Sequence, residues 1–321
     1  MQNYRRIKKE LPEVQKDISL KNYTTFKIGG KADYFFEAKT KQDLIKAISL
    51  VKKVNLPFFI LGGGSNLLIS DKGYRGMVIK VKSQKSKVKS QKSKVIEIES
   101  GVLLNKVVAL AFKNSLTGLE WAAGIPGTVG GAIRGNAGAF GQSISDIVKE
   151  VEVFDVENEK IKIFQNKNCQ FKYRNSIFKQ NSDLIILSAV FKLKAREIQA
   201  LQKKTKEYLD YRKKNQPLRF PSAGSIFKNY GLQIVDCELL KKYPELKEFN
   251  KKKKIPAGWL IEKAGLRGKI IGGAQISEKH CNFIINLGGA KAKDVMTLIN
   301  LVKKEVKNKF KIILEEEIQY I

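Results

Sequence analysis

Apolar residues recur at helical spacing between Asp43 and Val54, where Leu44, Ile45, Ile48 and Val51 share one face. The run Pro57-Phe-Phe-Ile-Leu61 behind them predicts a buried strand. That strand leads straight into Gly62-Gly-Gly-Ser-Asn66 and a further apolar run, Leu67 to Ile69. Met77 to Val81 and Val95 to Ser100 read as strands, followed by a helix from Leu103 to Asn114. Alternating segments at Val151 to Val156, Lys160 to Phe164 and Leu184 to Leu193 predict an antiparallel sheet. A charged helix from Arg196 to Lys214 ends at Gln216-Pro217, where a domain boundary is expected. Beyond it the pattern predicts a short helix near Pro256 to Ala264 and strands at Lys269 to Ile276 and Asn282 to Asn286. A helix from Lys291 to Lys309 and a final strand from Ile312 to Ile321 complete the chain.

Between Met77–Val81 and Val95–Ser100 lies a perfect tandem repeat, KSQKSKV from Lys82 to Val88 and again from Lys89 to Val95. Short, polar and without aromatics, it reads as an enlarged hairpin tip or a strand extension. It also raises the charge, although the chain is strongly basic throughout, with a net +30 over 321 residues. So basic a chain invites a nucleic-acid partner. Two features weaken that: lysine outnumbers arginine, the better fork for phosphates and guanine edges, and the cations are scattered instead of forming one arm. The 43% hydrophobic content supports real cores and about two domains. No apolar run reaches the roughly 18 residues of a membrane span, and the N-terminus has no apolar stretch behind its charges, so a cytoplasmic protein is expected. Cys169, Cys237 and Cys281 are odd in number and widely separated, which predicts reduced thiols, no disulfide framework and no metal site.

Two glycine-rich regions carry the candidate chemistry. Backbone N–H groups of Gly62, Gly63, Gly64, Ser65 and Asn66 at the end of a strand can cradle a diphosphate, or the segment is a turn between strands. It is neither a Walker loop nor a GxGxxG opening a helix. The second region, Gly118 to Gly141, packs small residues so densely that a large flat group, or another backbone, must lie against Gly124, Gly127, Thr128, Gly130, Gly131, Asn136, Ala137 and Gly138. With no nicotinamide fingerprint, the pair of loops points to flavin. Farther on, Pro221-Ser-Ala-Gly-Ser-Ile-Phe-Lys228 presents Ser225 beside a glycine. The second glycine of a hydrolase elbow is absent and His280 is the one histidine, so Ser225 is a turn serine, part of an anion-binding loop or a proton donor sooner than a nucleophile.

In this order GGGSN, PGTVGGAI with GNAGA, Tyr173-Arg-Asn-Ser176, PSAGSIFK and Leu314-Glu-Glu-Glu-Ile318 resemble the UDP-N-acetylenolpyruvoylglucosamine reductase family, from about Lys21 to Ile321. The resemblance implies an α+β fold: an FAD-binding unit of the vanillyl-alcohol oxidase (PCMH) type over residues 1–216, in two subdomains (approximately 20–80 and 81–216). A smaller α+β substrate domain follows at 217–321, its last strand returning a glutamate to the site. It implies FAD as cofactor, NADPH as electron donor, a UDP-sugar substrate and, for this chain, a monomer. Hydride addition to an enolpyruvyl ether drives charge onto the substrate carboxylate, which needs preorganised cations and hydrogen-bond donors. The resemblance gives those roles to Arg174 and Glu317, the latter protonated or bridged by a cation, and the proton donor's role to Ser225. Glu315 and Glu316 are rivals to Glu317, with 315 and 317 sharing a face of an extended strand. Tyr173, Lys228, Asn229 and His280 match substrate-contacting positions, although a lone histidine also fits a structural role. The short interval between Arg174 and Ser225 matches a subtype lacking a tyrosine-bearing loop, for which Tyr208 or Tyr211 is a substitute. Tyr230 stands where the family usually has proline.

Overall fold

The computed structural model describes residues 2–90, 94–231, 242–251 and 253–321. Cys237 and the middle of the second KSQKSKV copy lie outside the described residues. The chain divides into two units. The first comprises Met1–Ile18, Lys31–Gly63 and Tyr74–Arg212. The second comprises Ser19–Gly30, Gly64–Gly73 and Lys213–Ile321.

Among the described residues the first unit has two large sheets, two small two-stranded ones and two cores. In the first sheet, strands Lys31–Ala38 and Phe58–Leu61 both run parallel to the central Tyr74–Val81. The crossover between the outer two is the helix Lys41–Lys53. Its start is fixed by a reciprocal capping box: Thr40 Oγ1 accepts from Asp43 N–H at 3.0 Å, and Asp43 Oδ2 accepts from Thr40 N–H at 2.9 Å. Such a cap stabilises by about 1 kcal/mol. Leu44, Ala47, Ile48 and Val51 are buried, one stripe at helical spacing.

The second sheet is antiparallel and has five strands, in the order Lys160–Gln165, Val148–Asp155, Leu184–Lys192, Val95–Glu99 and Ser86–Ser90. The lysine repeat therefore supplies an edge strand, and its charges suit an edge that must not pair further. Leu184–Lys192 is apolar almost throughout because both its faces are covered. Ile186 and Ala189 pack with Trp121 and Val129 in one core, while Ile185 and Leu187 pack with Ile48 and Ile79 in the other. Alternation along one strand thus joins two cores. Cys169 is a free, buried thiol, pushed up to about 12 by burial.

In the second unit the strands Ser222–Ser225, Phe283–Asn286, Ala274–Ile276 and Ile270–Ile271 form an antiparallel sheet. The helix Ala292–Phe310 buries Val295, Leu298, Ile299, Val302 and Val306 against it and against the helix Ala257–Lys263. Two early segments complete this unit. Phe26, Ile28 and Leu68 enter its core, and both carboxylate oxygens of Asp71 accept from the first N–H groups of the long helix, Ala292 at 2.8 Å and Lys293 at 3.1 Å. The C-terminal stretch is extended, but it is not one strand from Ile312 to Ile321. Glu316 makes an isolated bridge with Phe227, and only Gln319–Tyr320 forms a ladder, parallel to Leu67–Leu68. The chain changes pairing partner between those two points, which is why the ladder is interrupted. No helix of the described residues is long and apolar enough to cross a membrane.

Candidate active site

Ser225 ends a strand with a defect in it. Ser222 faces Ile285 and Ser225 faces Phe283, so one extra residue is accommodated, and Gly224 takes the left-handed backbone of a β-bulge (φ +75°). Among the described residues nothing lies within 4 Å of where a Gly224 side chain would project, so among them the bulge turns the chain beside an open face. The following residues are locked from two sides. Asn282, buried, accepts from Phe227 N–H at 2.9 Å through Oδ1 and donates to the Phe227 carbonyl at 2.8 Å through Nδ2. On the other side the Ile226 carbonyl accepts from Glu317 N–H at 2.7 Å, and Lys228 N–H donates to the Glu315 carbonyl at 2.8 Å. Ser225, Lys228 and Glu317 are therefore brought together by backbone pairing.

The three consecutive glutamates differ in their surroundings. Glu315 Oε2 pairs with Lys228 Nζ at 2.7 Å, which holds its carboxyl below the ordinary range. Glu316 pairs with Lys303 Nζ at 2.9 Å and accepts from the Tyr320 hydroxyl at 2.5 Å. Both carboxylates are thus committed to protein partners. Glu317 is fixed through its backbone, its carbonyl accepting from Asn66 Nδ2 at 3.0 Å. That contact places Asn66 in the support of the C-terminal segment, whereas Gly64 packs on the Tyr23 carbonyl, 2.1 Å from where its Cβ would sit. Asn229 Oδ1 accepts from Ala257 N–H at 3.1 Å, and Tyr230-Gly231 pairs with Lys254-Ile255.

His280 is half-buried, edge-on to Phe283 with ring centroids 5.0 Å apart, and its Nδ1 accepts from Asn282 N–H at 3.3 Å. An accepting Nδ1 means a neutral ring, and burial lowers its pKa below the ordinary 6.5. The unfolded chain therefore takes up the proton first as pH falls. We predict full stability above pH 6.5 and a loss as pH drops from there through the folded-state pKa. Thermal melts between about pH 5.5 and 7.5 should show this slope in the wild type and a flatter one in His280→Gln. Equal slopes would exclude His280 as the cause.

In the first unit the glycine-rich loops meet each other. A Cβ on Gly63 would lie 2.5 Å from Gly127 Cα, and one on Gly62 would lie 2.7 Å from Thr128 Oγ1. Gly63 is required by close backbone-on-backbone packing, and Gly62 by the Thr128 side chain. The short helix Val129–Arg134 has its first N–H groups occupied: Val129 by the Val102 carbonyl (2.9 Å), Gly130 by the Ser100 carbonyl (2.8 Å) and Gly131 by Thr128 Oγ1 (3.4 Å). Gly124, with φ +77°, lies under Arg212, which donates to the carbonyls of Ala123 and Trp121, each at 2.9 Å.

Room for a ligand remains beyond these contacts. Among the described residues, the nearest atoms to a Cβ built on Gly131 and Gly135, outside chain neighbours and the helix's own backbone, lie 3.6 and 3.5 Å away. Ser100 Oγ and Gln142 Oε1 are buried with no hydrogen-bond partner among the described residues. An unpaired buried polar atom costs about 1–3 kcal/mol, a cost that a bound polar group removes. Two cations that sequence reasoning missed lie in the same unit: Lys80, whose Nζ donates to the Gly62 carbonyl, and Arg134, both lowered in pKa by burial. Open glycine backbone, unpaired polar atoms and half-buried cations fit a flat, polar, anionic cofactor such as FAD.

Arg174 lies in this first unit. Lys172 and Asn175 exchange two backbone hydrogen bonds (3.0 and 3.1 Å), with Tyr173 and Arg174 at the tip between them. Arg174 Nη2 donates to the Gly138 carbonyl at 2.8 Å, and its guanidinium carbon is 5.3 Å from the centroid of the exposed Tyr173 ring. Tyr208 stacks on Phe140 at 4.1 Å, so one of its faces is covered; Tyr211 meets Phe140 edge-on and is 55% exposed.

Two family models match the chain: an FAD binding domain over residues 32–164, and the C-terminal domain of UDP-N-acetylenolpyruvoylglucosamine reductase over residues 216–321. The UDP-N-acetylenolpyruvoylglucosamine reductase of Caldanaerobacter subterraneus subsp. tengcongensis is 42% identical, the match covering 94% of this chain and 91% of that one. That of Caldicellulosiruptor bescii is 43% identical, over 96% and 91%. The chain belongs to this family. A solved UDP-N-acetylenolpyruvylglucosamine reductase from Thermus caldophilus is similar throughout, with a TM-score of 0.76 at 32% identity over 96% of this chain and 98% of that one. The α+β fold with an FAD-binding unit is thereby a property of the whole UDP-N-acetylenolpyruvoylglucosamine reductase framework, shared here almost end to end.

Proposed function

We infer that the chain is an FAD-dependent reductase that uses NADPH to convert UDP-N-acetylglucosamine enolpyruvate to UDP-N-acetylmuramate, a step in peptidoglycan precursor synthesis. The observation that carries this is the bulged strand at Ser225 locked to the glutamate-bearing C-terminal segment, in a chain of this family. FAD, when bound, would supply two-electron hydride chemistry between NADPH and the double bond of the substrate. Gly131, Gly135 and Ser100, with Lys80 and Arg134 for its charge, are the residues suited to hold it.

The chain's own groups handle charge and proton. As electrons move onto the substrate carboxylate, Arg174 stabilises them through a guanidinium that cannot deprotonate. Glu317 acts there too, as the position that matches the family's C-terminal glutamate. Ser225 then gives its hydroxyl proton to the adjacent carbon, completing addition across the double bond. Lys228, Asn229 and Tyr173 act as supporting groups for the substrate. The reading takes the protein as a cytoplasmic monomer with a UDP-sugar substrate and no nucleic-acid partner. Anaerobic mixing tests it: NADPH should bleach the bound flavin, and the enolpyruvyl nucleotide should restore its absorbance. A colourless protein that cannot take up FAD, or a reduced flavin indifferent to the nucleotide, would overturn the reading.

A further inference from the structure

The turn that carries Arg174 is held in a costly shape. Arg174 has φ +55°, in the left-handed region where a non-glycine residue costs about 1–2 kcal/mol. Such a conformation persists only where neighbours over-determine it. Lys179 Nζ donates to the Arg174 carbonyl at 3.2 Å, and a short run, Arg134 to Gly138, grips the turn at alternate residues. Its Arg134 carbonyl accepts from Ser176 Oγ at 2.7 Å, Asn136 Nδ2 donates to the Lys172 carbonyl at 2.9 Å, and the Gly138 carbonyl accepts from Arg174 Nη2 at 2.8 Å. On the gripping side, two of these three use carbonyls that any residue offers. Only the middle one depends on a side chain.

We propose that Asn136 is a positioning residue for Arg174, setting the turn from which the guanidinium reaches the substrate. The proposal rests on the role given to Arg174 above. Three properties make asparagine the residue this position needs. Its backbone is left-handed, φ +42°, which asparagine tolerates better than most residues. Its Oδ1 accepts from Ser145 N–H at 3.2 Å while its Nδ2 donates to Lys172, so the amide orientation is set by a donor on one side and an acceptor on the other. It is also buried, so neither bond competes with bulk water. The amide therefore bridges the start of the Val148–Asp155 strand region to the Arg174 turn. This differs from the expectation that Asn136 contacts the cofactor: both ends of its amide are engaged by backbone groups.

The test uses FAD-saturated holoenzyme and two substitutions. Asn136→Gly keeps the left-handed backbone and deletes the amide; Asn136→Asp keeps the shape and sets an oxygen against the Lys172 carbonyl. Both should retain flavin content, flavin spectrum and reduction by NADPH, while reoxidation by the enolpyruvyl nucleotide slows by about 10–100-fold, in kcat more than KM. In an Arg174→Ala background the further change at position 136 should cost nothing more, the signature of two residues acting as one. If Asn136→Gly does not fold, Asn136→Gln, with the same amide one methylene farther out, enters the same cycle. Losses that simply add to those of Arg174→Ala, or lost flavin binding with normal reoxidation once FAD is saturating, would overturn the proposal. Normal reoxidation in Arg174→Ala alone removes the underlying role of Arg174 and this proposal with it, and it is recognisable because Asn136 is then intact.

Discussion

Replacing Ser225 by alanine should leave reduction of the flavin by NADPH within about twofold of wild type and slow its reoxidation by the enolpyruvyl nucleotide by about 10²–10⁴-fold, the range of general acid catalysis. The prediction rests on how the strand is built. The bulge at Gly224, the pairing of Ser225 with Phe283 and the grip of Asn282 on Phe227 all use backbone groups of residues 224–227. Deleting one hydroxyl disturbs none of them, so the variant should fold and bind FAD. Ser225→Cys keeps a proton on a side chain of similar reach and should recover part of the lost rate. Stopped-flow traces of the two half-reactions separate the effects. Reoxidation of Ser225→Ala at near wild-type speed would leave Ser225 as a turn residue and nothing more.

The elements that could be read from sequence are those whose signal is local. The helix Lys41–Lys53 announces itself by its apolar stripe and by Thr40 three residues before Asp43, and the long helix Ala292–Phe310 by five buried positions in register. Strands Val148–Asp155 and Leu184–Lys192 carry their own alternation or apolar run. What the local pattern does not contain is the make-up of the second unit. Ser19–Gly30 and Gly64–Gly73 join it through partners more than 200 residues away, such as Asp71 with Ala292 and Asn66 with Glu317. The expected single C-terminal strand failed for the same reason: alternation of Ile312, Leu314 and Ile318 is present, but a strand is defined by who pairs with it, and the partner changes. At the site, the neighbourhood of Ser225 and the glutamates followed from the family's motif order. Asn282 and Asn136 did not, because an asparagine that clamps a distant backbone looks the same in sequence as one on a loop. Gly62 and Gly63 read in sequence as a diphosphate cradle or a turn, whereas what lies against them in the structure is Gly127 and Thr128 of the other loop.

Arg174 offers the second large effect, and its geometry separates function from stability. Arg174→Lys keeps a positive charge but loses the planar fork, and Arg174→Gly loses both while relieving the left-handed backbone. For the glycine variant the stability terms oppose one another. Relief of strain gains about 1–2 kcal/mol, the freer unfolded chain costs about 0.4–1, and loss of the charged bond to the Gly138 carbonyl costs about 1.5–3. The sum is a net loss of about 1–2 kcal/mol, so thermal unfolding should fall by a few degrees, at roughly 2–4 °C per kcal/mol. Reoxidation by substrate should nevertheless fall by about 10²–10³-fold, the cost of removing a group aimed at developing charge. Arg174→Lys should fall nearly as far, because an ammonium cannot both donate to Gly138 and present a second donor in the same plane. A glycine variant that unfolds many degrees lower and loses flavin would make Arg174 a structural clasp between the turn and the Gly138 carbonyl. Unchanged melting with full activity would show that the strained turn serves some other group. Only the combination of near-normal melting, normal reduction by NADPH and crippled reoxidation marks a residue whose strained backbone exists to aim its side chain.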